Sequence, residues 1–302
     1  MGRPEHMHTV PAGYLRAFAE TSGLKRHPHV WRFDRELRET KLISVRDACV
    51  CKDVYTLKVG TIDSDTTIET TLLREGVDAA LPPVLQVLAS SGTPAYWQWR
   101  DLSRFLAFQL ARTPRMFQVF RDEGLHQGVV LGQNDPQLAM VSMTPFLEKW
   151  ICGMQWTIWW NSSTLPFICS DNPATMWVDR GSGAEIGVGF VEPGLEILLP
   201  LTPRISFTAA QTKKSLESVL QDSPHRIPMF NDFHQLRVRC KAVAGIAEVV
   251  KFNQLTVSNA ERYVYADSSQ GNVRLFLDDL FFGRSGPVRR SLARMMNLPE
   301  TV

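Results

Sequence analysis

The chain has 302 residues, enough to bury a large core, and its 44% hydrophobic and 21% charged residues are those of an ordinary folded globular protein. A formal net charge of +2, from 33 Lys+Arg against 31 Asp+Glu, excludes a whole-molecule field that would gather nucleic acid or an anionic membrane. Any polyanion site must therefore be local.

Five cysteines, Cys49, Cys51, Cys152, Cys169 and Cys240, lack the paired spacing of a structural zinc site and read as reduced thiols of a cytoplasmic protein. Residues 1–7 carry no apolar run of the kind a signal peptide needs, and they read as a leader ahead of the fold. Pro11 then opens a short helix bearing Tyr14, Leu15 and Phe18. The runs Val30 to Arg35, Leu42 to Val45 and Val54 to Leu57 suit a small antiparallel sheet, with Cys49 and Cys51 facing opposite ways on a strand. Asp63 to Thr66 is a polar start for a helix carrying Glu69, Leu72, Leu73 and Val77, and Pro82-Pro83 ends it and opens the next.

Helices are expected through the middle of the chain. Trp97 to Ala111 places Leu102, Phe105, Leu106 and Leu110 on one face, and Thr113-Pro114 interrupts it. A longer helix is expected from Leu138 to Trp160; Glu148, Lys149 and Gln155 argue against a membrane span, and its tryptophans read as core filling rather than a base-stacking pocket. Phe167 to Cys169 then reads as a central strand that breaks into the turn Ser170-Asp171-Asn172-Pro173. Strands follow at Thr175 to Val178, Leu195 to Leu199 and Ile205 to Thr208, with a Gly-rich hairpin at Gly181 to Gly189 too irregular for a phosphate-binding fingerprint. Helical spacing returns over Met229 to Phe252, a strand over Val257 to Tyr265 and a helix over Val273 to Phe282. Arg289, Arg290 and Arg294 make residues 284–302 a basic tail.

Several of these pieces form an ordered series: His8-x-x-Pro11-x-x-Tyr14-Leu15-x-x-Phe18, an Asp53-Val54-Tyr55 strand, Glu69, Phe108-Gln109-x-x-Arg112-Thr113-Pro114, Ile168-Cys169-Ser170-Asp171-Asn172-Pro173, Pro200-Leu201-Thr202-Pro203 and Asn259-Ala260-x-Arg262-Tyr263. From about His8 to about Ser268 the chain resembles the bacterial domain of unknown function 4238. Thr9, Ala12 and Cys169 depart from what is common there. The resemblance implies which residues matter and brings no established activity.

The chemistry these residues suit is metal-assisted phosphodiester hydrolysis, with nucleic acid or a nucleotide as a natural substrate. In this expectation Asp171 and Glu69 hold magnesium or manganese, His8 moves the proton and Arg112 steadies phosphate charge. Tyr14, Arg16, Gln109, Asn172 and Asn259 are the candidate substrate contacts. Each has a plainer reading: His8 as a helix cap, Glu69 as a dipole partner, Arg112 as a pin between helices, Asp171 as a turn residue. The enzymatic reading rests on His8 converging with Asp171. Its rival is a binding module without catalysis, a sensor or antitoxin-like partner in a bacterial defence or toxin setting, using the same polar groups. The expected fold is α+β: one large domain over 8–283, with a mostly antiparallel central sheet against a helical layer.

Overall fold

The computed structural model of the chain describes residues 6–20, 27–59, 63–126, 132–181, 183–190, 192–212, 237–269 and 271–282. The fold is α+β and built on antiparallel strand pairs. Its residues gather into two compact units, each drawn from three stretches of chain: Met1–Tyr14, Cys49–Gln155 and Ala210–Arg237 in the first, Leu15–Ala48, Trp156–Ala209 and Val238–Val302 in the second. Strands and helices are numbered along the whole chain.

The first unit is mainly helical. Strand β1 (His6–His8) pairs with β4 (Val50–Lys52), and β5 (Leu57–Val59) with β6 (Asp63–Asp65). Helices α1 (Ala12–Leu15), α2 (Leu81–Ala89), α3 (Tyr96–Ala111), α4 (Pro114–His126) and α5 (Asp135–Cys152) follow. The apolar stripe of α3 does what its spacing predicts: Leu102, Phe105 and Leu106 are fully buried, and Leu147, Trp150 and Ile151 of α5 are buried with them. Each such side chain contributes about 1.5–3 kcal/mol by leaving water. Ser103 on α3 donates to the Glu148 carbonyl at 3.3 Å, which keys the two helices polar-side as well. Thr113 precedes Pro114 at the break into α4, as expected.

The second unit holds two sheets. One has four strands in the order β3 (Glu39–Ser44), β2 (His29–Asp34), β14 (Tyr263–Ala266), β8 (Cys169–Ser170). The other has six, in the order β10 (Ala184–Ile186), β9 (Thr175–Asp179), β11 (Glu196–Thr202), β12 (Ile205–Ala210), β7 (Gln155–Asn161), β13 (Arg237–Ala244). Helices α6 (Ile246–Asn259) and α7 (Gly271–Phe282) complete it. The core joins Phe33 and Val264 of the smaller sheet to Trp177 and Leu198 of the larger through Val249, Phe252 and Leu255 of α6. The Gly-rich hairpin is real: Gly181 takes φ +74° and Arg180 donates its amide to Gly183 at 3.0 Å, a turn that a side chain would strain.

Several expectations change. The helix foreseen from Leu138 to Trp160 stops at Cys152, and Gln155–Asn161 is strand β7. Trp156, Ile158 and Trp160 alternate as well as they recur, so the period was ambiguous, and the turn after Cys152 decided it. Trp156 is fully buried with its ring edge-on to Phe207 at 5.1 Å, so core filling holds there. The strand foreseen over Val257 to Tyr265 is helical to Asn259, and of the Met229 helix the part from 246 is α6, 237–244 is strand β13 and 229–236 lies outside the described residues. Asp53 sits in a turn at φ 52° rather than in a strand, and Cys49 at φ 54° precedes β4 rather than alternating on it. Strand β8 is two residues at a sheet edge, not a central strand. Met7, assigned to a leader, is fully buried and pairs with Cys51. The basic tail 284–302 lies outside the described residues.

Candidate functional site

The polar residues singled out by sequence divide between the two units. His8, Tyr14, Glu69, Gln109 and Arg112 belong to the first; Arg16, Asp171, Asn172 and Asn259 belong to the second. Each group is built up separately below.

In the first unit the organising side chain is Arg112, completely buried at the C-terminal end of α3. A guanidinium taken from water must be matched in charge and in hydrogen bonds. Arg112 is matched in both: Nη1 donates to Asp78 Oδ1 at 2.8 Å, and Nε and Nη2 donate to Gln109 Oε1 at 3.0 and 2.7 Å. Gln109 lies one helical turn earlier, which is why its oxygen reaches the fork. Its Nε2 donates to the Thr9 carbonyl at 3.3 Å, tying α3 to the backbone beside His8. From the other side Tyr55, fully buried, donates its hydroxyl to the Arg112 carbonyl at 2.9 Å. Burial pushes the Tyr55 phenol far up, the Arg112 charge pulls against it, and Glu69 and Asp78 reinforce the rise.

Asp78 receives this arrangement. It begins a short 3-10 turn, Asp78–Ala80, which the turn residues Gly76 and Val77 separate from a π-helix, Ile68–Glu75. Burial raises its carboxyl above the ordinary range, while Arg112, His8 and Arg74 act in the opposite direction. His8, half-buried at the end of β1, is thus within electrostatic reach of a carboxylate that Arg112 holds still. Glu69 is buried in the first turn of the π-helix and faces Arg74, with Nη2 3.7 Å from Oε1. A π segment is rare, and π-bulges are frequent at functional sites.

In the second unit Asp171 is a pin for a turn. Its Oδ1 accepts the Glu261 amide at 2.9 Å, and its Oδ2 accepts the amides of Arg262 and Tyr263, both at 2.8 Å. The Asp171 amide in turn donates to the Tyr263 carbonyl at 3.0 Å. Burial raises its carboxyl, with the three amides pulling it down. Asn172 and Asn259 close the same joint: Asn259 Nδ2 donates to the carbonyls of Asn172 and Ala174 at 2.8 and 3.2 Å, and Asn172 Nδ2 to the carbonyl of Asn259 at 3.4 Å. Beside them Arg262 binds Asp34, Nε to both oxygens at 3.1 Å and Nη2 to Oδ2 at 2.8 Å. The series Ser170-Asp171-Asn172 and Asn259-x-x-Arg262 is therefore a lock between strand β8 and the loop after α6.

These bonds correct several assignments. Asp171 has its oxygens aimed at backbone amides, which removes the basis for a metal or catalytic role. Arg112 is turned inward and cannot clamp a substrate phosphate; it positions Asp78. Gln109, Asn172 and Asn259 hold protein groups rather than substrate, and Tyr14 is buried with its ring 5.7 Å from Phe105. Arg16 is exposed in the 3-10 turn Arg16–Phe18. No group of three or more His, Cys, Asp or Glu among the described residues is arranged to hold a metal ion. What remains of the expected site in the first unit is His8 and Glu69, and Asp78, the carboxylate that Arg112 holds, was missed. It is the lone carboxylate between Glu75 and Asp101, just ahead of an apolar helix, where a carboxylate ordinarily reads as a dipole partner.

The family described as "Protein of unknown function (DUF4238)" matches residues 7–130 and 131–270. The chain belongs to this family. No curated protein and no solved structure matches it. Among the described residues no helix is long and apolar enough to cross a membrane.

Proposed function

We propose that the chain is a cytoplasmic hydrolase of phosphodiester bonds, acting on a nucleic acid or nucleotide through His8 and Asp78 of the first unit. One observation carries the reading: a half-buried imidazole lies within electrostatic reach of a half-buried carboxylate, Asp78, that an arginine fixes at 2.8 Å. A carboxylate so placed stabilises the imidazolium that forms when a histidine takes up a proton in the reaction. In the reaction water attacks phosphorus while the bond to the leaving alcohol breaks. His8 accepts the water proton and returns it to the leaving oxygen. Arg112 and Gln109 keep Asp78 and the backbone beside His8 in register and touch no substrate. Among the described residues Cys49, Cys51, Cys152 and Cys169 form no disulfide, in keeping with a reducing compartment.

The test is cleavage of a panel of RNA, DNA and nucleotides by the full chain, with and without manganese, alongside His8→Gln and Asp78→Asn. Loss of about a hundredfold or more in kcat for His8→Gln, with folding intact, is the expected result. A well-folded wild type that cleaves nothing would sink the reading. The binding module is then the stronger account.

A further inference from the structure

Two rows of like charge cross the four-stranded sheet of the second unit. Register places Arg32 of β2 directly opposite Lys41 of β3, and Asp34 directly opposite Glu39. Residues paired in an antiparallel ladder share a face with Cβ atoms about 4.5–5.5 Å apart, so each row is repulsive as it stands. The acidic row is relieved: Asp34 accepts Arg262 with both oxygens and the amides of Glu36 and Leu37 with Oδ1. Among the described residues nothing comparable relieves Arg32.

The carboxylates nearest to Arg32 along the ladder are committed elsewhere. Glu39 binds Lys41 on its own strand, and Asp34 binds Arg262, as does Glu36. Arg32 lies instead over the ring of Tyr263 on β14, its guanidinium carbon 4.7 Å from the ring centroid. Arg262 sits over the same ring at 5.0 Å. The stack fixes the plane of Arg32, and its Nε is shut from solvent without a hydrogen-bond partner. Arg32 as a whole is only half-buried, so its terminal nitrogens are the part left open. A guanidinium drawn partly out of water calls for a matching charge. Its immediate neighbours across the ladder and over the ring are two more cations.

We propose that Arg32 and Lys41, with Tyr263 as the platform beneath the guanidinium, form a binding site for a phosphate group, either free or as the monoester of a small molecule. Arg32 offers the donors of a planar fork and Lys41 a point charge from the facing strand, a pair that suits a tetrahedral dianion better than a single carboxylate. The Lys41–Glu39 pair does not block it. Its side chains are 56% and 46% exposed, and so open a pair exchanges readily for a stronger partner. The site stands independently of the hydrolase reading, because all its residues belong to the second unit.

The experiment is calorimetric titration of the full chain with inorganic phosphate, and separately with glycerol 3-phosphate, for wild type, Arg32→Gln, Lys41→Gln and Arg115→Gln. The last removes an exposed arginine of the first unit and serves as the control for general charge. Circular dichroism checks each fold, and Lys41, exposed on an edge strand, keeps a foldable variant in the set. Wild-type binding is expected to weaken about tenfold in Arg32→Gln, by less in Lys41→Gln and not at all in Arg115→Gln. Phosphate should also raise the melting midpoint of the wild type and leave that of Arg32→Gln where it was. The tighter of the two ligands names the source of the group. No binding by the wild type, full affinity in a folded Arg32→Gln, or a loss as large in Arg115→Gln would overturn the proposal. Should Arg32→Gln not fold, full affinity in Lys41→Gln overturns it.

Discussion

Asp171 and Arg112 show how a charged side chain can look functional and be structural. Both are polar residues of the ordered series picked out in the sequence, and both are consumed by neighbours: Asp171 by three backbone amides, Arg112 by Asp78 and Gln109. The consequences for substitution differ. Asp171→Ala leaves three amides to find water at a half-buried turn, and we expect a loss of about 2–4 kcal/mol in urea unfolding. An unchanged midpoint would mean that the β8 pairing alone holds the turn. Arg112→Met leaves the half-buried Asp78 without its cation, the costlier situation, at about 3–5 kcal/mol. Pairing it with Asp78→Asn should recover much of that loss, because the uncompensated charge has gone. A double-mutant cycle in which the two losses simply add would contradict the ion pair.

At the scale of elements, sequence was informative where one period dominated and silent where two competed. The stripe Leu102, Phe105, Leu106 made α3 plain, and Thr113-Pro114 marked its end. The tryptophans from Trp150 to Trp160 fit helix and strand alike, and only the turn at Gly153 separates α5 from β7. The π-helix could not be read at all, since Ile68, Glu69, Leu72 and Leu73 fit an α-helical pattern and its departure lies in backbone bonding. The lock around Asp171 was half legible: its residues were found from the shared series, but their mutual bonds join positions about ninety residues apart, which no local pattern encodes. Asn253 belongs to that lock. Fully buried on α6, it accepts the Ile168 amide at 3.2 Å and donates to the Pro166 carbonyl at 2.8 Å, so it fixes the segment that leads into β8. Asn253→Leu preserves the shape and abandons both partners. We expect it to cost about 2–4 kcal/mol, measured by urea denaturation, and Asn253→Gln to recover little because the amide is displaced by a methylene.

For the whole molecule, the buried and half-buried carboxylates set how stability follows pH. Burial raises Asp78 and Asp171 above 3.8 and Glu148 above 4.5. Glu148 has Arg104 as its partner at 3.3 Å. A raised carboxyl means that the folded state holds its proton more tightly than the unfolded state, so between the two pKa values stability falls as pH rises and then levels. Asp34 runs the other way: burial pushes it up, but Arg262 and the amides of Leu37 and Glu36 outweigh burial and hold it below 3.8. Its contribution is in place above that value and is lost as pH falls through the lower folded one. The two directions leave a maximum on the acid side of neutrality. Urea midpoints measured from about pH 3 to about pH 8 should therefore rise from the acid end, peak, and decline to a plateau. Asp78→Asn should flatten the decline, whatever it does to the midpoint at any single pH, because one of the protons responsible is no longer there to lose. Asp34→Asn should flatten the acid limb and leave the decline as it was. A decline equally steep without Asp78 would mean that its carboxyl titrates alike in folded and unfolded chains. Arg112 would then already compensate the burial in full, and Asp78 would be a settled ion-pair partner rather than a carboxylate poised beside His8.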